Sequence, residues 1–190
     1  MKIINWDEFL KTEPPQNSQK TSMTVGIFDG VHRGHQVLLK NVVSYNKDYL
    51  PSVVTFRQNQ KNKNDSQKDI QTFEQKLSSL ENMGIKAAII ADLTETFKRT
   101  SGIDFLKILL KHGNIGFFAV GSNFRCGYAL DTDVNTIKTF FTERKIPVQI
   151  QKEVMEGSQP VSSSRIRKAI TSGDIELAQL MLGKNLLKHS

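Results

Sequence analysis

One stretch decides the fold that the sequence predicts: Thr24-Val-Gly-Ile-Phe-Asp-Gly-Val-His-Arg-Gly-His-Gln-Val-Leu-Leu-Lys40. Residues 24–28 are β-branched or apolar apart from one glycine, which is typical of a buried central strand. Asp29 and Gly30 break this strand, and apolar residues at helical spacing from about Gly34 onwards predict a helix. The stretch therefore predicts a strand, a glycine-containing turn and a helix that begins with two histidines.

These histidines, His32 and His35, lie three residues apart and should share a face of the first helical turn. That turn has unpaired backbone N–H groups and the positive end of the helix dipole, so it favours phosphate. Two imidazoles there can also donate hydrogen bonds to a phosphate oxygen as its charge builds up. A structural or a metal-binding role stays open from the pair alone. The sequence contains neither a Walker Gly-x-x-x-x-Gly-Lys motif nor a Gly-x-Gly-x-x-Gly dinucleotide motif.

Composition restricts the class of protein. The chain has 190 residues, of which 38% are hydrophobic and 24% charged, as in an ordinary globular domain with a real core. No apolar run approaches the roughly 18 residues of a membrane span, and the acidic Asp7 and Glu8 do not suit a signal peptide. The single cysteine, Cys126, excludes an internal disulfide and fits a reducing compartment. We therefore expect a cytoplasmic protein without a membrane partner.

The net charge of +7 raises the question of nucleic-acid binding. The excess positive charge is scattered or lies in one polar loop, and one Trp and three Tyr offer little for base stacking. A basic balance also suits an enzyme whose small substrates are polyanions. We predict small-molecule substrates and no nucleic-acid partner.

Strand and helix patterns alternate along the chain. A short strand and a helical turn are predicted within residues 2–10, and further strands at 52–56, 85–91, 115–120 and 146–150. Capping patterns predict helices that begin at Thr72, at Ser101, at Asp131 or Asp133, and at Asp174. This alternation predicts an α/β fold with a mostly parallel sheet flanked by helices.

Ligands of such sheets bind at the carboxyl ends of the strands, near a switch point in the strand order. The polar loop at 57–71 leaves this edge, and we predict that it is mobile. Asn123 and the segment Ser162-Ser-Ser-Arg-Ile-Arg167 should converge there with the two histidines. Arg165 and Arg167 are two apart, so one should face the pocket and the other solvent or an acidic neighbour. By itself the serine run could be an ordinary N-cap, but beside the histidines it favours polyphosphate binding.

Two segments together, Gly26–His35 and Ser162–Arg167, resemble the paired (H/T)xGH and (S/T)xxR-type signatures of the nucleotidylyltransferase superfamily. More closely, the chain resembles the FMN adenylyltransferase (FAD synthetase) module of prokaryotic bifunctional riboflavin kinase/FAD synthetases. Val120–Gly127 is similar to that family's Val-Gly-x-(Asp/Asn)-Phe-x-Phe-Gly segment, and Arg167–Gly183 is similar to its C-terminal pattern. The resemblance covers nearly the whole chain and implies a Rossmann-like nucleotidylyltransferase fold.

The resemblance also implies a reaction: adenylyl transfer from ATP to FMN, giving FAD and pyrophosphate. Mg²⁺ should be needed, held mainly by phosphate oxygens and water, with no metal ligands from the protein. One alternative is transfer to another phosphate acceptor, such as nicotinamide mononucleotide or a pantetheine phosphate. Cytidylyl transfer to an alcohol phosphate fits the motifs less well. A non-catalytic flavin- or nucleotide-binding module is a further alternative.

The resemblance implies three groups of site residues. The catalytic group is His32, His35 and Arg167, with His35 donating to the α-phosphate. The ATP-binding group is Gly26, Phe28, Asp29, Gly30, Gly34, Ser163 and Ser164. The flavin-binding group is Asn123, Arg125 and Thr55, although Asn123 could equally serve only to satisfy loop backbone groups.

The chain departs from the family pattern at several positions. Arg57-Gln-Asn-Gln60 stands where the family usually has an Asp-Pro-His-Pro-like run, and Ile27 and Cys126 replace an Asn or Ser and a Phe. The first change lies in the loop expected to meet the flavin, which keeps other acceptors open. No segment similar to the family's β-barrel riboflavin kinase domain is present. We therefore expect one adenylyltransferase-like domain over residues 1–190, acting as a monomer, with a separate riboflavin kinase as the candidate source of FMN.

Overall fold

The computed structural model describes residues 1–14, 18–57 and 69–184. Most of the loop predicted at 57–71 lies outside these ranges. Its predicted mobility therefore stays a prediction. The strands are β1 Lys2–Asn5, β2 Thr21–Val25, β3 Leu50–Arg57, β4 Ala87–Asp92, β5 Ile115–Gly121, β6 Arg125–Cys126, β7 Thr132–Asp133, β8 Val148–Gln151, β9 Met155–Glu156 and β10 Gln159–Pro160. The helices are α1 Trp6–Phe9, α2 Arg33–Ser44, α3 Phe73–Asn82, α4 Glu95–Lys98, α5 Gly102–Gly113, α6 Val134–Thr142, α7 Ser163–Thr171 and α8 Ile175–Leu182, with a 3-10 turn at Tyr128–Leu130.

Six strands form one sheet in the order β1-β4-β3-β2-β5-β8, and every neighbouring pair is parallel. The predicted parallel sheet flanked by helices is therefore confirmed. From β2 the chain adds β3 and β4 on one side and later returns to add β5 and β8 on the other. The strand order thus switches between β2 and β5, and ligands of open α/β sheets bind outside the carboxyl ends of such a pair.

Each face of the sheet has its own apolar core, because successive side chains of a strand point to opposite faces. In β5, Phe118 and Val120 pack with α5 and α6, whereas Phe117 and Ala119 pack on the other side with α2 and α3. A third, smaller core joins α7 and α8, centred on the fully buried Ile166. This arrangement fixes α7 next to the carboxyl edge of the sheet.

The strand predicted at 24–28 lies earlier in the chain, at β2 Thr21–Val25. After β2 the chain leaves the sheet, and Phe28 adopts a left-handed backbone (φ 53°) with its ring fully buried. A buried loop residue and a buried strand residue are equally apolar, so the sequence pattern did not separate them. The other predicted strands agree with β3, β4, β5 and β8 to within two residues at each end.

Most predicted helix starts are confirmed by side-chain caps. Thr72 and Gln75 form the predicted capping box, and Ser101, Asp133 and Asp174 each accept a hydrogen bond from the first turn of their helix. Helix α5 ends at Gly113, and Asn114 after it takes a left-handed backbone (φ 43°). In the last turn of α5, His112 is buried, and its Nδ1 lies 2.7 Å from the carbonyl oxygen of Thr12. In the described parts of the chain, no helix combines the length and the apolarity that crossing a membrane requires.

Candidate active site

A cavity of about 1060 Å³ opens at the carboxyl edge of the sheet, beside the switch between β2 and β5. Its lining combines segments that are far apart in sequence, namely the turn after β2, residues 121–127 after β5, residues 151–154 after β8 and the start of α7. Small-molecule pockets commonly measure roughly 300–1,000 Å³, so this one has room for a large ligand or for two ligands side by side.

Nearly all of the predicted site residues line this cavity. They are Gly26, Phe28, Asp29, His32, Gly34, His35, Asn123, Arg125, Ser163, Ser164 and Arg167. Residues predicted from three distant motifs therefore meet at one place, as the parallel sheet requires. Their individual roles stay predictions.

Two of the predicted site residues, Thr55 and Gly30, do not line this cavity. Thr55 lies inside β3, is fully buried, and donates its hydroxyl to the carbonyl oxygen of Ile27 at 3.2 Å. It therefore ties the strand to the turn and has no surface for a flavin. Gly30 has φ +80°, and a Cβ there would stand 3.1 Å from side-chain atoms of Ile70 and Leu182. A left-handed backbone and close packing explain this glycine without a contact to ATP.

The two histidines are held against each other at the start of α2. His32 is the N-cap, and its Nδ1 accepts a hydrogen bond from the backbone N–H of His35 at 3.3 Å. The two rings stack with centroids 3.6 Å apart and an interplanar angle of 16°. A Cβ on Gly34 would come within 3.2 Å of the His32 ring, so glycine lets the ring lie over the helix start. The edge of the His35 ring meets Phe28, with centroids 5.2 Å apart.

Burial makes both histidines weak bases. Burial lowers the pKa of His32 to about 4, and burial followed by the nearby His32 and Lys76 lowers the pKa of His35 well below its ordinary value. Both rings are therefore neutral near pH 7. Because Nδ1 of His32 accepts a hydrogen bond, its proton must sit on Nε2, which leaves Nε2–H as a donor. The pair thus offers N–H donors and no fixed positive charge.

The start of α7 lines the same cavity. Ser162 caps this helix by accepting from the N–H of Arg165, and the hydroxyl of Ser163 donates to the carbonyl oxygen of Asp29 at 2.9 Å. Arg167 Nη1 donates to Asp29 Oδ2 at 2.7 Å and so pairs α7 with the turn after β2. The N-termini of α2 and α7 therefore both meet the cavity, and both favour anions.

Arg165 is half-buried and lies away from the cavity, as expected for one of the two arginines. Its guanidinium donates to the carbonyl oxygens of Glu156 and Gln159 at 3.0 and 2.9 Å, across the β9–β10 hairpin. A hairpin turn exposes several carbonyl oxygens close together, and these are acceptors that sequence spacing does not reveal. Arg165 thus holds the hairpin, while Arg167 lies at the cavity.

A second wall of the cavity carries apolar and polar groups. Phe97 makes edge contacts with Phe56 and Phe105, each with ring centroids 5.8 Å apart, and all three rings line the cavity. Nearby, Asn123 Nδ2 donates to Glu153 Oε1 at 3.2 Å. An aromatic wall with one amide is suited to a flat heterocycle that carries hydrogen-bonding groups at its edge.

The sequence model of a known family matches residues 14–165, and that family is described as FAD synthetase. This chain belongs to the FAD synthetase family. The resemblance found from the two phosphate-site motifs is thereby confirmed.

Curated relatives agree with this FAD synthetase assignment. The chain is 26% identical over 190 residues to the bifunctional riboflavin kinase/FMN adenylyltransferase of Buchnera aphidicola subsp. Acyrthosiphon pisum (strain APS). The aligned part covers 97% of this chain and 59% of the relative. It is also 26% identical to the protein of the same name from Escherichia coli (strain K12), over 96% of this chain and 59% of the relative. The chain thus spans about three fifths of the length of these relatives.

Solved structures share the fold. A structure described as a macrolide-efflux protein from Streptococcus pneumoniae superposes with a TM-score of 0.81 at 22% identity, over 97% of this chain and 60% of the other. Pantothenate synthetase from Thermus thermophilus gives a TM-score of 0.54 at 14% identity, over 96% and 82% of the two chains. At these identities the likeness concerns the fold alone.

One buried residue of this FAD synthetase family member was missed by sequence reasoning. Lys76 in α3 is 5% exposed, and its ammonium donates to the carbonyl oxygens of Ile27 and Phe56 at 3.1 and 2.9 Å. These two carbonyls belong to the segments at the ends of β2 and β3, so Lys76 fixes the edge of the sheet that carries the site. The sequence did contain a signal, because Lys76 occupies an inward position between Phe73 and Leu80 at helical spacing.

Of the run Arg57-Gln-Asn-Gln60, which departs from the family pattern, the structure describes only Arg57. Arg57, the last residue of β3, places its guanidinium carbon 5.1 Å from the centre of the Phe73 ring and does not line the cavity. Residues 58–60 lie outside the described ranges. The predicted effect of this run on acceptor choice therefore stays a prediction.

Proposed function

We propose that this chain transfers the adenylyl group of ATP to the phosphate of FMN and so produces FAD and pyrophosphate. The match to the FAD synthetase family over residues 14–165 carries this proposal. The name FMN adenylyltransferase, which the curated relatives bear, supports the same acceptor. The cavity supports it physically, because it combines two anion-favouring helix starts with an aromatic wall.

The reaction needs little acid–base chemistry. A phosphate monoester has a second pKa near ~6, so the FMN phosphate is already an anionic nucleophile at neutral pH. One of its oxygens bonds to the α-phosphorus of ATP while the bond from that phosphorus to the pyrophosphate oxygen breaks. Catalysis then consists of positioning and of stabilising charge on the phosphoryl oxygens. Neutral histidines suit this task, since it requires N–H donors and no general base.

We assign the phosphate contacts to the two helix starts. His32 and His35 donate to ATP phosphates, and His35 donates to the α-phosphate oxygens as their charge increases. Ser163, Ser164 and Arg167 bind the β- and γ-phosphates, which leave together as pyrophosphate. The meeting of these groups at one cavity supports this assignment, because both helix starts favour anions.

Any Mg²⁺ belongs to the substrate in this proposal. Within residues 1–14, 18–57 and 69–184, no group of three or more His, Cys, Asp or Glu side chains lies close enough to hold a metal ion. Of the carboxylates at the cavity, Asp29 already accepts hydrogen bonds from Ile70 and Arg167. Mg²⁺ binds readily through phosphate oxygens and water, so it would enter with ATP.

We place the flavin against the wall formed by Phe56, Phe97 and Phe105, with Asn123 at its polar edge. The hydrogen bond from Asn123 to Glu153 directs the amide N–H₂ toward the carboxylate and leaves Oδ1 as an acceptor. FMN would be supplied by a riboflavin kinase. The names of the relatives combine this activity with FMN adenylyl transfer.

The test is a product assay. The purified chain is incubated with ATP and Mg²⁺ and with FMN, riboflavin or nicotinamide mononucleotide, and the products are separated chromatographically. FAD and pyrophosphate formed from FMN, with riboflavin unchanged, would support the proposal. Adenylylation of nicotinamide mononucleotide but not of FMN would assign the chain to another acceptor. Binding of ATP and FMN without any product would instead indicate a non-catalytic binding module.

A further inference from the structure

Asp29 connects three separate segments beside the phosphate site. The residue is 5% exposed, and Oδ1 accepts the backbone N–H of Ile70 at 2.9 Å while Oδ2 accepts Nη1 of Arg167 at 2.7 Å. Its own carbonyl oxygen accepts the hydroxyl of Ser163 at 2.9 Å. The turn after β2, the segment before α3 and the start of α7 are thus all bonded to one residue.

The carboxylate of Asp29 is unsuited to contact a polyphosphate directly, because like charges repel at short range. Both of its oxygens already have protein donors, and one of these donors is the charged Arg167. Burial raises the pKa of Asp29, and the neighbouring Asp69 adds to this. The N–H of Ile70 and the charges of Arg167 and Lys76 act in the opposite direction and favour the carboxylate. The residue is therefore built to bind other protein groups.

Arg167 keeps donors available after this pairing. Its Nη1 is used by Asp29, and its Nη2 lies 3.4 Å from the hydroxyl of Ser164, the long limit of a hydrogen bond. Its Nε is buried and has no hydrogen-bond partner in the described parts of the chain. A free arginine side chain samples many rotamers, and fixing it costs conformational entropy when a ligand binds. A partner that fixes it beforehand removes this cost.

We propose that Asp29 is a positioning residue, which holds Arg167 and Ser163 in the orientation that binds the pyrophosphate part of ATP. It touches neither substrate and acts through Arg167. This inference rests on the proposed function, because it assigns Arg167 to the β- and γ-phosphates. It replaces the role predicted from sequence, in which Asp29 belongs to the ATP-binding set itself.

The test is a double-mutant cycle with pyrophosphate and ATP as ligands, measured by calorimetry without FMN. Asp29→Asn keeps the shape of the side chain. If its Oδ1 still accepts from Ile70, its N–H₂ must face Nη1 of Arg167, and two donors then oppose each other. We expect Asp29→Asn to weaken binding of both ligands roughly tenfold, which is within the range of coupled pairs. FMN binding, measured separately, should not change.

The cycle shows whether the effect passes through Arg167. Arg167→Ala should weaken pyrophosphate binding, and adding Asp29→Asn to it should cause no further loss. Arg167→Lys keeps the positive charge but lacks the forked guanidinium that pairs with Asp29. It should therefore bind pyrophosphate more weakly than wild type. This comparison can still be made if Asp29→Asn does not fold. Equal losses from Asp29→Asn with and without Arg167, or unchanged pyrophosphate binding, would overturn the inference. If the wild-type chain binds pyrophosphate and the cycle gives the expected coupling but FMN is never adenylylated, the proposed acceptor is wrong, while the assignment of Arg167 to the pyrophosphate part of ATP is kept.

Discussion

The imidazole rings of His32 and His35 lie nearly parallel, with centroids 3.6 Å apart, at the N-terminus of α2. Two imidazolium rings at this distance would repel each other, and burial lowers both pKa values so that both rings are neutral near pH 7. The positive potential of the site then comes from the two helix N-termini and from cationic side chains at the cavity, among them Arg125 and Arg167. The histidines contribute directed N–H groups, which suits stabilisation of a phosphoryl oxygen in a transition state.

The first prediction concerns the donor role of His35. His35→Ala should lower kcat for FAD formation by roughly 10²-fold, because removal of one preorganised donor costs about that much. His35→Gln retains an N–H donor of similar reach and should keep more activity than His35→Ala. Circular dichroism and a thermal melt should show that both variants are folded. Turnover that matches wild type in folded His35→Ala would remove His35 from the mechanism.

A second prediction follows from the pKa of His32, which is about 4 in the folded chain against an ordinary value of 6.5. Between these values the unfolded chain binds a proton that the folded chain does not, so the free energy of unfolding falls as the pH falls from 6.5 toward 4. His35, with its lowered pKa, acts with the same sign. Urea denaturation should therefore show lower stability at about pH 5 than at about pH 7.

His32→Asn provides the control for this pH dependence. Asparagine is a good N-cap residue, so the helix start is kept while the titrating group is removed. The loss of stability between the two pH values should be smaller in His32→Asn than in wild type. Parallel stability curves for the two proteins would show that His32 is not responsible.

Motif spacing predicted the site better than it predicted the strand that leads into it. His32, Asn123 and Arg167 were expected at one edge because carboxyl ends of parallel strands meet there, and that argument needs only the order of elements. The position of Phe28 required more, since its ring is buried from a left-handed loop and not from a strand. Apolar character reports burial, and it does not report the backbone conformation that achieves it.

Other features depend on partners that no local pattern contains. Arg165 binds hairpin carbonyls, and Thr55 bonds to Ile27, which lies 28 residues away in the chain. Lys76 was overlooked because a lysine is normally assigned to a solvated face. Its inward position became meaningful only when the carbonyls of Ile27 and Phe56 were found beside it.

A third prediction tests this buried lysine. Lys76→Met keeps the length of the apolar stem but leaves the carbonyls of Ile27 and Phe56 without this donor, so the free energy of unfolding should fall by about 1–3 kcal/mol. Lys107→Met is the matched control, because Lys107 is an exposed helical lysine that pairs with the exposed Asp104 at 2.9 Å. It should change stability by less than about 1 kcal/mol. Equal effects of the two substitutions in urea denaturation would contradict the role given to Lys76.

A fourth prediction concerns acceptor binding. Asn123→Ala should raise KM for FMN and leave the affinity for ATP unchanged, because the proposed function assigns this amide to the flavin and not to the phosphates of ATP. Asn82→Ala, at the exposed end of α3, removes the same side chain outside the cavity and should alter neither value. If Asn123→Ala leaves KM for FMN at the wild-type value, the amide serves only its hydrogen bond to Glu153.

The last prediction separates stability from activity at Gly34. Alanine is favoured over glycine within a helix by roughly 0.5–1 kcal/mol, so Gly34→Ala should not lower the melting temperature through the backbone. Its new Cβ would stand 3.2 Å from the His32 ring, so the ring would have to shift by a few tenths of an ångström and its N–H donor would be displaced. We therefore expect weaker ATP binding and a lower kcat in a chain as stable as wild type. A Gly34→Ala protein with both wild-type stability and wild-type turnover would show that the close approach of His32 to this glycine has no functional purpose.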